Sequence, residues 1–319
     1  MPTGADARRL PLLVVGLVLA LLFQGCGSEG NITSLDGNST VTFSAEGLEP
    51  LAGGLNYQLW LMAGTPDQPW GYPVVMFNID ENGDLVDPVA DTVYTGPFQA
   101  GIEANAVFGV AVSLENAEVV QPYSSFSFIL GGQFEGGTAP MSTSHWIAFN
   151  VFLDPATGKF ILRTPTDDDP ENETSGIWFM DPTTTPAEDG LHLPEAPEGW
   201  NYESWVVVGD QYLSMGKFFL PDMADSTATY SGTLPSPTVP GEDFLTAAPA
   251  GLTFPLDLSG ATVLVTMEPW AEWDLEPESP FFLRLFDFEI PAGAEAETPY
   301  DMIPRVDQLP TGTATIQGL

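Results

Sequence analysis

Two histidines, His145 and His192, are the natural starting points for chemistry in this chain of 319 residues. Zinc needs three or four nitrogen, sulfur or oxygen ligands held together, and neither histidine has a second histidine or a cysteine at ligand spacing. Ser142 and Ser144 stand beside His145, yet a nucleophile, base and acid form a triad in space and not by adjacency. The Gly-Xaa-Ser-Xaa-Gly turn that exposes a serine nucleophile is absent. Paired carboxylates hydrolyse glycosides, but with 44 acids in the chain any pair can be drawn. Asp80, Asn82 and Asp84 alternate as oxygen donors around Gly83, and the run from Asp167 to Glu173 is dense in carboxylates. Neither matches the twelve-residue calcium loop with its closing glutamate. The expectation is therefore no catalytic residue, no metal site and no cofactor.

Aromatic residues are the other candidates. Trp70, Trp270 and Trp273 fall in predicted loops, where ligand contacts concentrate, and form the candidate ligand surface. Tyr57 with Trp60, and Tyr202 with Trp205, would stack on sugars if exposed. They stand in strands that recur, which reads more simply as core.

The elements that position these residues occur twice. Asn56-Tyr57-Gln58-Leu59-Trp60 is matched by Asn201-Tyr202-Glu203-Ser204-Trp205. Gly47-Leu48-Glu49-Pro50 precedes the first and Leu191-His192-Leu193-Pro194 the second. Phe77 and Phe218 centre the following strands, and alternating strands end in Glu115 and Glu268. Aromatic-rich strands, Phe126 to Phe134 and Phe281 to Phe288, close the copies. Such recurrence in order and spacing marks an internal duplication. Period-2 alternation gives strands over 39–46, 56–62, 74–79 and 106–115. Tyr57, Leu59 and Leu61 share one face, and Gln58, Trp60 and Met62 the other, so this strand is covered on both sides. Helical periodicity is missing, and 30 Pro with 32 Gly punctuate short strands. The fold class is all-β, with two tandem related β-sandwich-like domains.

The expected boundaries are a signal peptide over 1–25, a lipidated cysteine and tether over 26–38, and a first β-domain over 39–140. A hairpin (Trp146 to Leu153 with Lys159 to Thr164) and an acidic loop occupy 141–175. A second β-domain spans 176–291, and a loosely ordered tail 292–319, with at most a late strand. Thr65 to Gly71 reads as a Pro-rich loop.

Arg8-Arg9 followed by a short apolar run from Pro11 to Phe23 has the form of an export signal. It ends at Cys26, the single cysteine. Cleavage before a cysteine that is then acylated would make the lipid bilayer a partner of the chain, on the extracytoplasmic side of a bacterial envelope. Leu22 lies one place further upstream than such signals usually have it, and an ordinary secreted protein is the alternative. With 44 acids against 7 bases the net charge is −37, which repels phosphate backbones, so no nucleic acid is expected as partner.

Gly47-Leu48-Glu49-Pro50-Leu51, Tyr57-Gln58-Leu59-Trp60, a Phe strand ending in Asp and Gly, and Val110-Ala111-Val112-Ser113-Leu114-Glu115 resemble the anti-sigma-K factor C-terminal domain. Residues 40–135 carry the closer likeness. Residues 176–290 retain Asn201-Tyr202, Trp205, Ser214-Xaa-Gly216-Xaa-Phe218 and Thr266-Met267-Glu268. The resemblance implies an extracytoplasmic β-domain. Members of that family carry a sigma-binding segment and a membrane helix before it, whereas only the short leader precedes it here, so sigma inhibition is not inherited with the fold. The expected function is a non-enzymatic envelope lipoprotein acting in binding or signal reception, with an unknown envelope protein or glycan as ligand. A carbohydrate-binding or carbohydrate-active surface lipoprotein is the alternative.

Overall fold

A computed structural model describes residues 37–116, 127–151, 153, 155–184, 187–270, 274 and 277–318. Cys26, Trp273, Phe126 and the leader lie outside the described residues. The fold is all-β: apart from three short 3-10 turns, regular structure among the described residues is strand. No helix among them is long and apolar enough to cross a membrane.

In chain order the first strands are β1 (Ser39–Glu46), β2 (Leu55–Thr65), β3 (Gln68–Ile79), β4 (Leu85–Val86), β5 (Phe98–Ala100), β6 (Val107–Asn116), β7 (Phe128–Gln133) and β8 (Thr138–Ser142). Then come β9 (Thr157–Leu162), β10 (Gly176–Trp178), β11 (Met180–Asp181), β12 (Glu188–Asp189), β13 (Leu191–His192), β14 (Trp200–Val208), β15 (Gln211–Phe218) and β16 (Gly241–Asp243). The last are β17 (Thr262–Pro269), β18 (Arg284–Glu289), β19 (Tyr300–Asp301), β20 (Ile303–Pro304) and β21 (Thr311–Gln317).

One sheet runs β4-β3-β2-β6-β7-β8-β21-β1-β5, and another β15-β14-β17-β18-β20. The block β3-β2-β6-β7 therefore has the same order as β15-β14-β17-β18. Register agrees as well. Tyr57 faces Phe77 and Leu114 across its two neighbours, and Tyr202 faces Phe218 and Met267. Bulges fall at the same places, between Leu59 and Trp60 and between Ser204 and Trp205 on the outer side. On the other strand they lie between Val112 and Ser113 and between Val265 and Thr266. A bulge re-aims the side chains beside it, so each recurrence fixes the same tryptophan and hydroxyl.

The correspondence continues around each half. β8 joins β7 to β21, which pairs β1, which pairs β5. In the second half β20 pairs β18, the adjacent β19 pairs β9, β9 pairs β10, and β10 pairs β16. β9 thus holds the place that β21 holds in the first half. It arrives just before its own repeat, whereas β21 comes from the far end of the chain. In each half the ends of this path approach: β3 touches β5, and β15 touches β16. The described residues pack as one compact unit, and one continuous core runs from Val41 through Tyr57 and Trp200 to Ile316.

Three sequence expectations are corrected here. Residues 146–149 are turns and 146–151 hold no strand: the His145 carbonyl accepts from the backbone N–H of Ala148 and of Asn150. Ile147, Phe149 and Leu153 are nonetheless buried, so the apolar alternation is real while the backbone is not extended. The stretch 65–71 is not a loop, because β3 begins at Gln68 and Trp70 stands opposite Ala63. Pro66 lies in the turn before β3, and Pro69 sits on a strand whose outer edge is paired, among the described residues, only at Asn78 and Ile79, so a missing N–H is tolerated there. The C-terminal segment is no tail, since β21 lies inside a sheet with Ala314 and Ile316 buried.

Candidate functional site

Within each repeat the first aromatic strand builds the same polar chain. Trp60 Nε1 donates to Ser113 Oγ at 2.8 Å, and the Ser113 hydroxyl donates to Glu115 at 2.6 Å. Trp205 Nε1 donates to Thr266 Oγ1 at 3.0 Å, and the Thr266 hydroxyl donates to Glu268. The tyrosines repeat too: the Tyr57 hydroxyl donates to the Glu49 carbonyl at 2.8 Å, and the Tyr202 hydroxyl to the Pro194 carbonyl at 3.1 Å. Tyr57 stacks on Phe77 at 5.3 Å, and Tyr202 packs on Phe218 at 5.5 Å. All six aromatics are buried. The side chains that sugars would need are therefore core, with their polar ends satisfied internally.

The halves differ in charge at one point. Gln58 faces Met76 in the first, where the second has Glu203 facing Lys217. Lys217 Nζ lies 2.6 Å from Asp274 and 3.5 Å from Glu203 Oε2, while Ser214 Oγ donates to Glu203 Oε1. Glu268 sits nearby, nearly sealed from solvent, and accepts from the Phe281 backbone N–H at 2.8 Å. Burial pushes Glu203 up to about 6 even though Ser214 and Lys217 pull it down. Burial pushes Glu268 up to about 8, and Glu203 and Asp274 add to the push. Burial opposes the charge on Lys217, but Asp274, Glu203 and Glu268 overcome it and its pKa rises.

A second buried acidic group lies at β16. Trp178 Nε1 donates to Asp243 at 2.7 Å, and Thr166 donates to it through both its N–H and its hydroxyl. Ser231 donates to Glu242 Oε1, whereas Glu242 Oε2 has no partner among the described residues. Burial, with Asp225 close by, pushes Glu242 up to about 7, and burial pushes Asp225 up to about 6. Packing is too close for a side chain at Gly176, where a Cβ would meet Asp243 Oδ1 at 2.3 Å.

These raised values set a pH dependence. A carboxyl whose folded pKa exceeds its unfolded value stays protonated in the native state after the unfolded chain has ionised. Its contribution is intact below about 4 and is lost as pH rises towards the folded value. For Glu203, Asp225, Glu242 and Glu268 that window runs from about 4 up to about 8. Thermal midpoints should fall by about 10 °C between pH 5 and pH 8. Glu268→Gln should remove a share of that fall at any salt concentration, because burial and not screened surface repulsion is the cause. A midpoint rising from pH 5 to pH 8 would contradict this.

A cleft of about 620 Å³ opens where the turn after β8 meets the start of β14. Phe128, Phe149, Trp200 and Phe219 line it, with Asn150, Glu195 and Glu198 supplying polar groups. Phe149 meets Trp200 edge to face at 4.9 Å. Asn150 holds a left-handed backbone at φ 54, and Trp200 Nε1 has no acceptor among the described residues.

Of the tryptophans expected to form a ligand surface, Trp70 is half-buried on β3, packed over Gly64 and against the core. Trp270 follows β17, its backbone N–H donating to the Gly199 carbonyl. The cleft includes neither of them. Apart from Phe128 its residues carry no repeated motif, and the expected hairpin over 146–153 hides the turn that shapes it. The Asp80 turn uses its own oxygens: Asp80 Oδ1 accepts from the backbone N–H of Asn82 and of Asp84. Comparison with protein-family models, with curated proteins and with solved structures finds no match for this chain.

Proposed function

We propose that the chain is a non-enzymatic protein of the bacterial cell envelope, held to the membrane through acylated Cys26 and working by binding or signal reception on the extracytoplasmic side. One observation carries this reading: the buried titratable groups are fastened inside the protein, away from the roomy cleft. Glu203, Glu242, Asp243 and Glu268 are each tied to a neighbouring hydroxyl within the fold. The cleft instead presents aromatic walls and rim carboxylates, the composition of a binding surface. The duplicated strand order agrees with reuse of a module, and the likeness to the anti-sigma-K C-terminal domain agrees with an extracytoplasmic place for it. The cleft also favours a second reading, a carbohydrate-binding surface lipoprotein.

The anchor is tested by growing expressing cells with radioactive palmitate. Label should enter the wild-type protein and vanish from Cys26→Ser. Equal labelling of the two, or none in the wild type, rejects it.

A further inference from the structure

We infer that the cleft between the Phe149 turn and the Trp200 strand is a binding site for a neutral, hydroxyl-rich ligand of the saccharide type. The inference rests on the reading that the chain works by binding. Three observations converge on the ligand's chemistry. Trp200 is 1% exposed, yet its indole N–H lacks an acceptor among the described residues. An unpaired buried donor is costly, and a small outward shift of the cleft wall would let a ligand oxygen reach the indole nitrogen and remove that cost. Glu195 and Glu198 stand exposed on the rim and accept hydrogen bonds only. A hydroxyl both donates and accepts, so one functional group answers the carboxylates and the indole together. Phe219, 37% exposed, offers an apolar wall against which the CH face of a sugar ring can lie.

Other ligand classes fit less well. No lysine or arginine lines the cleft, and the chain as a whole carries a net charge of −37, so an anion is repelled. An organic cation would satisfy the carboxylates but brings no acceptor to Trp200. It would also want open ring faces, and Phe149 and Trp200 are buried against each other edge to face. At about 620 Å³ the space falls within the range usual for small-molecule sites.

The test titrates the full chain by calorimetry with cellohexaose, maltohexaose and xylohexaose as neutral probes, chitosan hexamer as the cationic one and oligogalacturonate as the anionic one. At least one neutral oligosaccharide should bind and oligogalacturonate should not. Phe219→Ala and Glu198→Gln should each weaken binding about tenfold, and Trp200→Phe, which keeps a ring and removes the N–H, should do the same. Should Trp200→Phe misfold, Phe219→Ala decides, since that side chain is exposed. Failure of all three neutral probes, binding of a charged probe alone, or affinity unmoved by Phe219→Ala overturns the assignment. None of these results alters the palmitate outcome at Cys26, so the two readings fail separately.

Discussion

A chain ending at Pro310 will lose the cooperative melting of its first half. β21 supplies seven paired positions to β1 and five to β8, and it buries Ala314 and Ile316 between them. Each net hydrogen bond is worth about 1 kcal/mol, and removing a buried isoleucine side chain costs about 2–5 kcal/mol. The loss approaches the whole stability of a typical domain, about 5–15 kcal/mol. The midpoint should drop by about 20 °C or more, and limited proteolysis should cut first within 39–142. Ile316→Asp, which keeps the strand and spoils its buried face, should fall between the truncated and full chains. Identical melting curves for the truncated and full chains would show that β21 contributes nothing to the sheet.

Lys217→Met should cost about 3–5 kcal/mol, because it strands Glu203 and Asp274 in a site closed to water. Their side chains are only 3% and 6% exposed, so solvent cannot replace the lost partner. The first repeat already shows the neutral solution, with Gln58 opposite Met76. Glu203→Gln combined with Lys217→Met installs that pair in the second repeat and should recover part of the loss. Adding Asp274→Asn should recover most of the remainder. The single variant should suffer more at pH 8 than at pH 5, since burial raises Glu203 to about 6 and acid neutralises it. Denaturant titration of the three variants measures the differences, and additive losses with no recovery would contradict the pairing.

Much of the fold was legible because the repeat is written in large core residues. Tyr57, Trp60 and Phe77 recur as Tyr202, Trp205 and Phe218 at places where only aromatics fill the space between strands, and both sets are buried. Alternation in β1 and the two apolar faces of β2 likewise follow from side-chain direction in a strand. The prolines of β3 misled, because they signal a loop unless the strand is known to lie at an edge. At 146–149 the alternation reported burial correctly while hydrogen bonds to His145 folded the backbone into turns. The role of β21 was hidden for another reason: its partners lie far away in sequence. Gly312, Ala314 and Ile316 do alternate, and that was the available signal. Among 44 acids nothing marked Glu203 except its place opposite Gln58 in the duplicated motif.

Pairing β21 with β1 joins Gln317 to Thr40 across almost the whole described chain. Closing so long a loop costs entropy before its contacts offset it, so the sheet that β21 completes should be late to assemble during refolding. The ladders of β9 with β10, β13 and β19 span shorter separations and should form sooner.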